Sequence, residues 1–479
     1  MNKTARLAFS VAASLASSAD VAGEILFLFA LLSALYFWLA IPITAAIAGL
    51  LILLTFSYRQ IILAYPPSGG IYTVVRDNLG EAAAQVASAA LLIEYTLTVA
   101  VGIAAGIDQI ASLFPILFAY KVPLSLLFIL LITYANVQGV KAPGGKALHT
   151  IAAAPTYCFI TLVLLLIGVG FWQAFSGNLD VVDGIPRADR EGLLYTDFVF
   201  VFLLLRTLNS GATTFCKAEP VRTDRVAFQC PTAKAAATTL LRDAALLLLL
   251  YVGLSVLGHW IQAQPSDAEV LLAQVARTVY NDDLLGLLTL ASAAIFLLMA
   301  ANTSLADFPR LATLQAGDGV LSQRFTAQGS RPGFRWSLIL LAMFAGLLIF
   351  CFQGRVSRLI PLYIISVFSC VTFAQVAMTK RWHSIGLLMQ TGKLTPYTEI
   401  STSGSIFRYD PFWHVKLLLS GLGACITAIV TVICLVTKFT TGAWIIVILM
   451  PILLWVLMSI HRHYKEVTQI LRTNADSMT

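Results

Sequence analysis

Asn209-Ser210-Gly211-Ala212-Thr213-Thr214-Phe215-Cys216-Lys217-Ala218-Glu219-Pro220 is the stretch on which the fold turns. It continues the apolar run 198–205, then carries Ser-Gly, two threonines, a lysine, a glutamate and a proline where a plain membrane span would stay greasy. Ionisable groups at membrane depth are costly and face a cavity or a partner. Gly and Pro release backbone groups from the helix ladder, which is tolerated only where protein or water pairs them again. Secondary transporters build midplane sites from broken helices with charge at the break. The expectation is a helix broken at Ser210 and Gly211, with Cys216, Lys217 and Glu219 as candidate binding residues beyond it.

The surroundings are those of a membrane protein. The chain is 58% hydrophobic and 11% charged. Apolar runs of spanning length, about 20 residues, fall near 8–35, 37–57, 84–113, 122–140, 148–172, 195–218, 237–262, 284–306, 335–352, 358–378, 413–436 and 440–460. These twelve runs predict an all-α integral membrane protein. The first run is too long and too polar-punctured for a cleavable signal peptide. With the N-terminus inside, the inner loops take most of the basic residues, among them Arg59, Arg76, Lys141, Arg222, Arg331, Lys380 and Arg462. The outer ones take Lys121, Arg187, Arg190, Arg277, Arg355, Arg358 and Lys438. That bias places both termini in the cytoplasm of a cell whose inner (plasma) membrane holds the protein. It also explains the net charge of +7 without nucleic acid.

Several chemistries lack a signature. There is no Walker loop, GxSxG or HExxH, so neither an ATP-driven pump nor an intramembrane hydrolase is indicated. The cysteines form no C-x-x-C pair, all but Cys230 fall in predicted spans, and they read as small packing residues. No histidines stand at metal-ligand spacing, and no cofactor or metal is expected.

The first run has a break of its own. The segment 11–20 is small and polar, with Ser17 and Ser18 at its centre and Asp20 at its end. Two interrupted helices five spans apart predict an inverted repeat, spans 1–5 over 1–175 and spans 6–10 over 195–378. Two appended spans at 413–465 and a short cytoplasmic tail at 466–479 follow.

Other motifs stand in order along the chain: Tyr65-Pro66-Pro67-Ser68-Gly69-Gly70-Ile71-Tyr72, read as a shaped inner loop; Glu94-Tyr95-Thr96-Leu97-Thr98; Asn302-Thr303-Ser304 running to Asp307-Phe308-Pro309-Arg310; Asp318-Gly319; Thr441-Gly442-Ala443-Trp444; and His463-Tyr464. From about residue 8 to 466 the chain resembles the amino acid–polyamine–organocation (APC) superfamily, and within it the bacterial proton-coupled potassium importers of the KimA type. The resemblance implies a LeuT-like fold, alternating access, a site formed by spans 1, 3 and 6, and a homodimer. In that branch Glu94, Tyr95, Thr98 and Glu219 match site positions. Ala13 and Asp20 stand where an Asp and a Tyr are expected, Gly102 where a Ser is, and Cys216-Lys217 where Thr-Gly is. Those changes remove or alter hard oxygen donors, which a hard cation prefers. The soluble regulatory domain common in the branch is expected to be missing here.

The charges have several readings. Glu94, deep in span three, is a proton carrier or counter-ion, or a carboxyl paired for packing. Asp108 is an outer relay or an interfacial residue. Asp307 reads as a helix cap. Lys217 is a tethered cation beside Glu219, Glu94 or Asp20 and a participant with Glu94 in proton coupling; the alternatives are a structural ion pair or a lysine that snorkels to the surface. The function expected is proton-coupled uptake of a small nutrient by a secondary permease, an amino acid first and potassium second, with a non-transporting membrane sensor as the reading from another class. Partners are the substrate, a co-transported proton and the lipid bilayer.

Overall fold

The computed structural model describes residues 40–65, 70–138, 146–179, 233–263, 270–281, 283–322, 331–401 and 406–476. The predicted breaks at Ser17, Ser18, Ser210 and Gly211, and the candidates Asp20, Cys216, Lys217 and Glu219, lie outside the described residues.

The described elements are helices α1 (Ala40–Ala64), α2 (Ile71–Leu79), α3 (Glu81–Leu113), a 3-10 turn (Pro115–Tyr120), α4 (Lys121–Val137), α5 (Lys146–Ser176), α6 (Ala233–Trp260), α7 (Leu271–Tyr280), α8 (Leu284–Gly317), α9 (Arg331–Cys351), α10 (Val356–Gln390), α11 (Trp413–Thr437) and α12 (Trp444–Asp476). One two-residue strand pair, Ile400–Ser401 against Ile406–Phe407, interrupts the helices. Among the described residues, eight helices are long and apolar enough to cross a membrane, and two shorter apolar segments, Ala48–Ala64 and Arg335–Cys351, add to them. Ten of the twelve apolar runs are thereby found as helices; the runs near 8–35 and 195–218 lie outside the described residues.

Three local expectations change. The motif around 65–72 is not loop throughout: α2 begins at Ile71, buries Ile71 to Val75, and ends at Gly80 with φ +93, where only glycine is comfortable. α8 continues through 307–309 to Gly317, so position 307 lies inside a helix and not at its end. α12 runs on to Asp476, and the expected tail starts as helix.

Close approaches fix the helix directions. Gly102 faces Ala301 and Leu297, and Gly106 faces Leu298 and Ala294, so α3 and α8 are antiparallel. Leu126 lies at Gly346 and Val122 at Gly354, so α4 and α9 are antiparallel too. Ile167 meets Gly253 and Leu257 meets Gly170, so α5 and α6 are parallel. Ser57 bonds Gln375 and Tyr65 bonds Arg381, making α1 and α10 parallel.

The two short helices take up opposite ends. α2 packs on α10 and α3, and its Arg76 pairs with Asp318 just beyond the end of α8. α7 packs on α5 and α8. The Val270 N–H just before α7 donates to Ser112 near the end of α3, at 3.3 Å, and the Val279 carbonyl accepts from Gln173 of α5 at 2.9 Å. Because α3 and α8 are antiparallel, those two places are at opposite ends of the bundle.

Candidate functional site

α3 is the central helix, packed by α2, α4, α8, α9, α10 and α12. Its many Ala, Gly and Ser residues let neighbouring backbones approach closely. Glu94 sits in its middle, only 2% exposed. The thiol of Cys370 on α10 hydrogen-bonds its carboxyl. Tyr58 of α1 lies close enough to feel the carboxylate charge, and its hydroxyl, fully buried, has no hydrogen-bond partner among the described residues. A carboxyl ringed by a thiol and a phenol from two other helices can hold a proton or an ion where a bare charge would be costly.

The other candidates on α3 divide. Thr98 is buried one turn beyond Glu94, with its hydroxyl donated to the Glu94 carbonyl at 2.9 Å. Tyr95 turns to α8, where its ring meets Phe308 edge-on at 6.1 Å. Gly102, the position that departs from the branch pattern, is a packing position: a Cβ there would lie 3.2 Å from the Ala301 Cβ. Asp108 is ion-paired with Lys121 at 2.7 Å. Lys121 in turn lies 3.6 Å from the centroid of the Phe118 ring.

Sequence reasoning missed several polar residues. Cys370 read as a packing cysteine; nothing but its register opposite Glu94 could have shown its contact. Asp243 on α6 is a second buried acid, 7% exposed, beside the charge of Arg242. Arg381 on α10 is 2% exposed. Its guanidinium lies between the rings of Tyr65 and Phe407, 4.9 and 4.7 Å from their centroids, and donates to the Tyr65 hydroxyl at 3.2 Å.

Beside Arg381, the α2 helix carries a charged cluster. Arg76 and the Tyr72 hydroxyl both bond Asp318. Burial works against the Arg76 charge, but Asp318, Asp77 and Tyr72 together outweigh it and the guanidinium pKa rises. Burial and Asp318 together push the Tyr72 phenol up. Asp77 lies 3.6 Å from Arg76. Burial raises its carboxyl above the usual range, and Arg76 and Arg381 offset that only in part. Lys465 and His461 of α12 both reach Glu81 at the start of α3, His461 at 3.5 Å. The other ring nitrogen of His461 lies 3.2 Å from the Gly319 carbonyl.

Known proteins bear on this geometry. No family model matches the chain. A solved structure of the Eremococcus coleocola manganese transporter, in complex with an aromatic bis-isothiourea substituted compound, superposes with a TM-score of 0.51 at 12% identity, covering 97% of each chain. That likeness is one of fold. The potassium transporter KimA of Bacillus subtilis (strain 168) is 33% identical over 477 residues, which is 98% of this chain and 72% of that protein. At that identity and coverage, the multi-pass chain with Glu94 buried at its centre belongs to the KimA-type branch of the amino acid–polyamine–organocation superfamily.

Proposed function

We propose that this protein is a proton-coupled potassium importer of the inner (plasma) membrane, with both termini cytoplasmic. The observation that carries the reading is the 33% identity over 98% of the chain to a potassium transporter, with Glu94 buried where that branch has an acidic residue. The expectation of an amino acid substrate gives way to potassium on that relative. Growth of a potassium-uptake-deficient bacterial strain on low potassium tests it. Rescue is expected, and uptake of an amino acid without rescue would restore the first reading.

The proposed architecture is twelve spans, five and five in an inverted repeat over 1–175 and 195–378, plus two over 413–465. Three observations support it. The series α1 to α5, long-short-long-long-long, recurs as α6 to α10. Equivalent helices touch: α1 with α6, α3 with α8, α4 with α9. Their short members sit at opposite ends of the bundle. Ser176 and Ala233 also end and begin two parallel helices, as one span between them requires. Cysteines placed at 178–192 should react with an impermeant thiol reagent from outside and those at 396–404 from inside; the opposite labelling would overturn the orientation.

Glu94 is the proposed proton-coupling acid. Lys217 is proposed to stand as a tethered cation beside Glu219, in place of one bound ion. Lys217→Gly should then make uptake depend more steeply on the cation concentration. Unchanged uptake by a folded variant would reduce Lys217 to a structural role.

A further inference from the structure

A chain of buried polar residues leaves the Glu94 cluster and runs between α1, α10 and α11 toward α2. Next to Tyr58 and Cys370, Ser57 of α1 donates to the amide oxygen of Gln375, which is 0% exposed. The Gln375 amide nitrogen has no partner among the described residues. Further along, Ser420 of α11 donates to Gln60 at 3.3 Å. Then come Tyr65 and Arg381, with Asn78 of α2 donating to the Tyr65 hydroxyl at 2.7 Å. The chain ends at Asp77, whose Oδ2 is buried and without a hydrogen-bond partner among the described residues. From Cys370 to Gln375 to Arg381 the rise along α10 is roughly 8 and 9 Å at about 1.5 Å per residue. A continuous hydrogen-bonded path over steps of that length requires bridging waters.

Polar side chains can join membrane helices without conducting anything. This seam differs in having orphan atoms at its start, middle and end: the Tyr58 hydroxyl, the Gln375 amide nitrogen and the Asp77 carboxylate oxygen. A buried polar atom without a protein partner is costly unless water satisfies it. The seam also joins two acids, one at the centre of the bundle and one at its α2 end.

We propose that Asp77 is the inner proton acceptor of Glu94, reached through a hydrated seam along α1 and α10. The inference rests on the reading of Glu94 as the coupling acid. In the transfer, the O–H bond of the Glu94 carboxylic acid breaks and the proton passes over water and hydroxyls. A new O–H bond forms on the Asp77 carboxylate, and Asp77 then releases the proton to the cytosol. The groups facing Asp77 are Arg76 on its own helix, Arg381 from α10 and Asp318 beyond α8. The two cations keep a proton from being trapped there, while burial lets it bind.

The full-length protein in proteoliposomes provides the test, with internal pH read by pyranine and cargo by rubidium ion. Asp77→Asn should slow proton-driven entry by at least about tenfold, flatten its dependence on internal pH, and leave rubidium counterflow within about twofold of wild type. Asp77→Glu should restore both the rate and the pH profile. Gln375→Leu, which leaves Asp77 in place, should also slow proton entry while sparing counterflow. Equal loss of counterflow and proton entry in folded Asp77→Asn, or no loss of either, would overturn the proposal. Glu94→Gln separates the two ideas: if it keeps proton-driven entry, the coupling acid is wrong. If it abolishes entry while Asp77→Asn does not, only the exit route is wrong.

Discussion

α3 and α12 are both 33 residues long and both apolar enough to span a membrane, yet 94% of the apolar window of α3 is buried in protein against 11% for α12. Within their most apolar stretches the less hydropathic is the buried one: mean hydropathy is 1.9 in α3 and 2.4 in the Trp444–Glu466 part of α12. In a bilayer, lipid is as apolar as a neighbouring helix, so hydropathy selects spans without ranking their depth in the bundle. Side-chain size and polar content do the ranking. α3 is rich in Ala, with Gly, Ser and Glu94 among them, and α12 carries exposed Ile, Leu, Val, Met and Trp side chains.

The strongest way to break this contrast is at Glu94. Glu94→Gln keeps the shape and removes the titratable proton. Proton-driven accumulation should fall by about 100-fold or more, while exchange of cargo persists. A variant with normal, pH-dependent uptake would show that the buried helix does not carry the coupling group. On α12, whose apolar face is exposed, a substitution such as Ile452→Ala should leave uptake within about twofold, since a surface change away from special features rarely exceeds ±0.5 kcal/mol.

The fold and the site were legible in the sequence to different degrees. Ten apolar runs became helices because length and hydropathy alone demand it. α2 and α7, of nine and ten residues, escaped because each is short and follows a polar stretch that reads as loop. α8 ran past Asp307 because Pro309 is tolerated inside it, where the sequence suggested an end. In the site, Glu94 stood out because a lone acid in an apolar run is conspicuous. Its partners did not, because Tyr58 and Cys370 lie 36 residues before it and 276 after it along the chain. Only the antiparallel and parallel packing of α1, α3 and α10 brings them together.

A second test sharpens the role of small residues. At Gly102 a Cβ would lie 3.2 Å from the Ala301 Cβ and 3.6 Å from the Ala301 Cα, part of the α8 backbone. Gly102→Val should force α3 and α8 apart and cost about 1–3 kcal/mol, read as a lower melting temperature in detergent. Gly102→Ser would restore the hydroxyl that the branch pattern has there, and it meets the same contact, so it should cost stability too. Equal stability of Gly102→Val and wild type would mean that the α3–α8 seam can open without penalty.

The smallest expected effect lies where the two helices meet. Lys465 of α12 pairs with Glu81 at the head of α3, and both side chains are more than half exposed, 56% and 63%. An ion pair so open to water contributes roughly 0–1 kcal/mol and is screened by salt. His461 is 14% exposed and also reaches Glu81, at 3.5 Å, so the carboxylate keeps a second neighbour when the lysine is removed. Lys465→Ala should therefore lower the melting temperature slightly at low ionic strength and not at all at high salt. Glu81→Gln removes the charge that both groups address and should do more than Lys465→Ala. If Lys465→Ala instead destabilised by several kcal/mol at high salt, α12 would be held by this contact, and its attachment would be as structural as that of α3 despite its exposed apolar face.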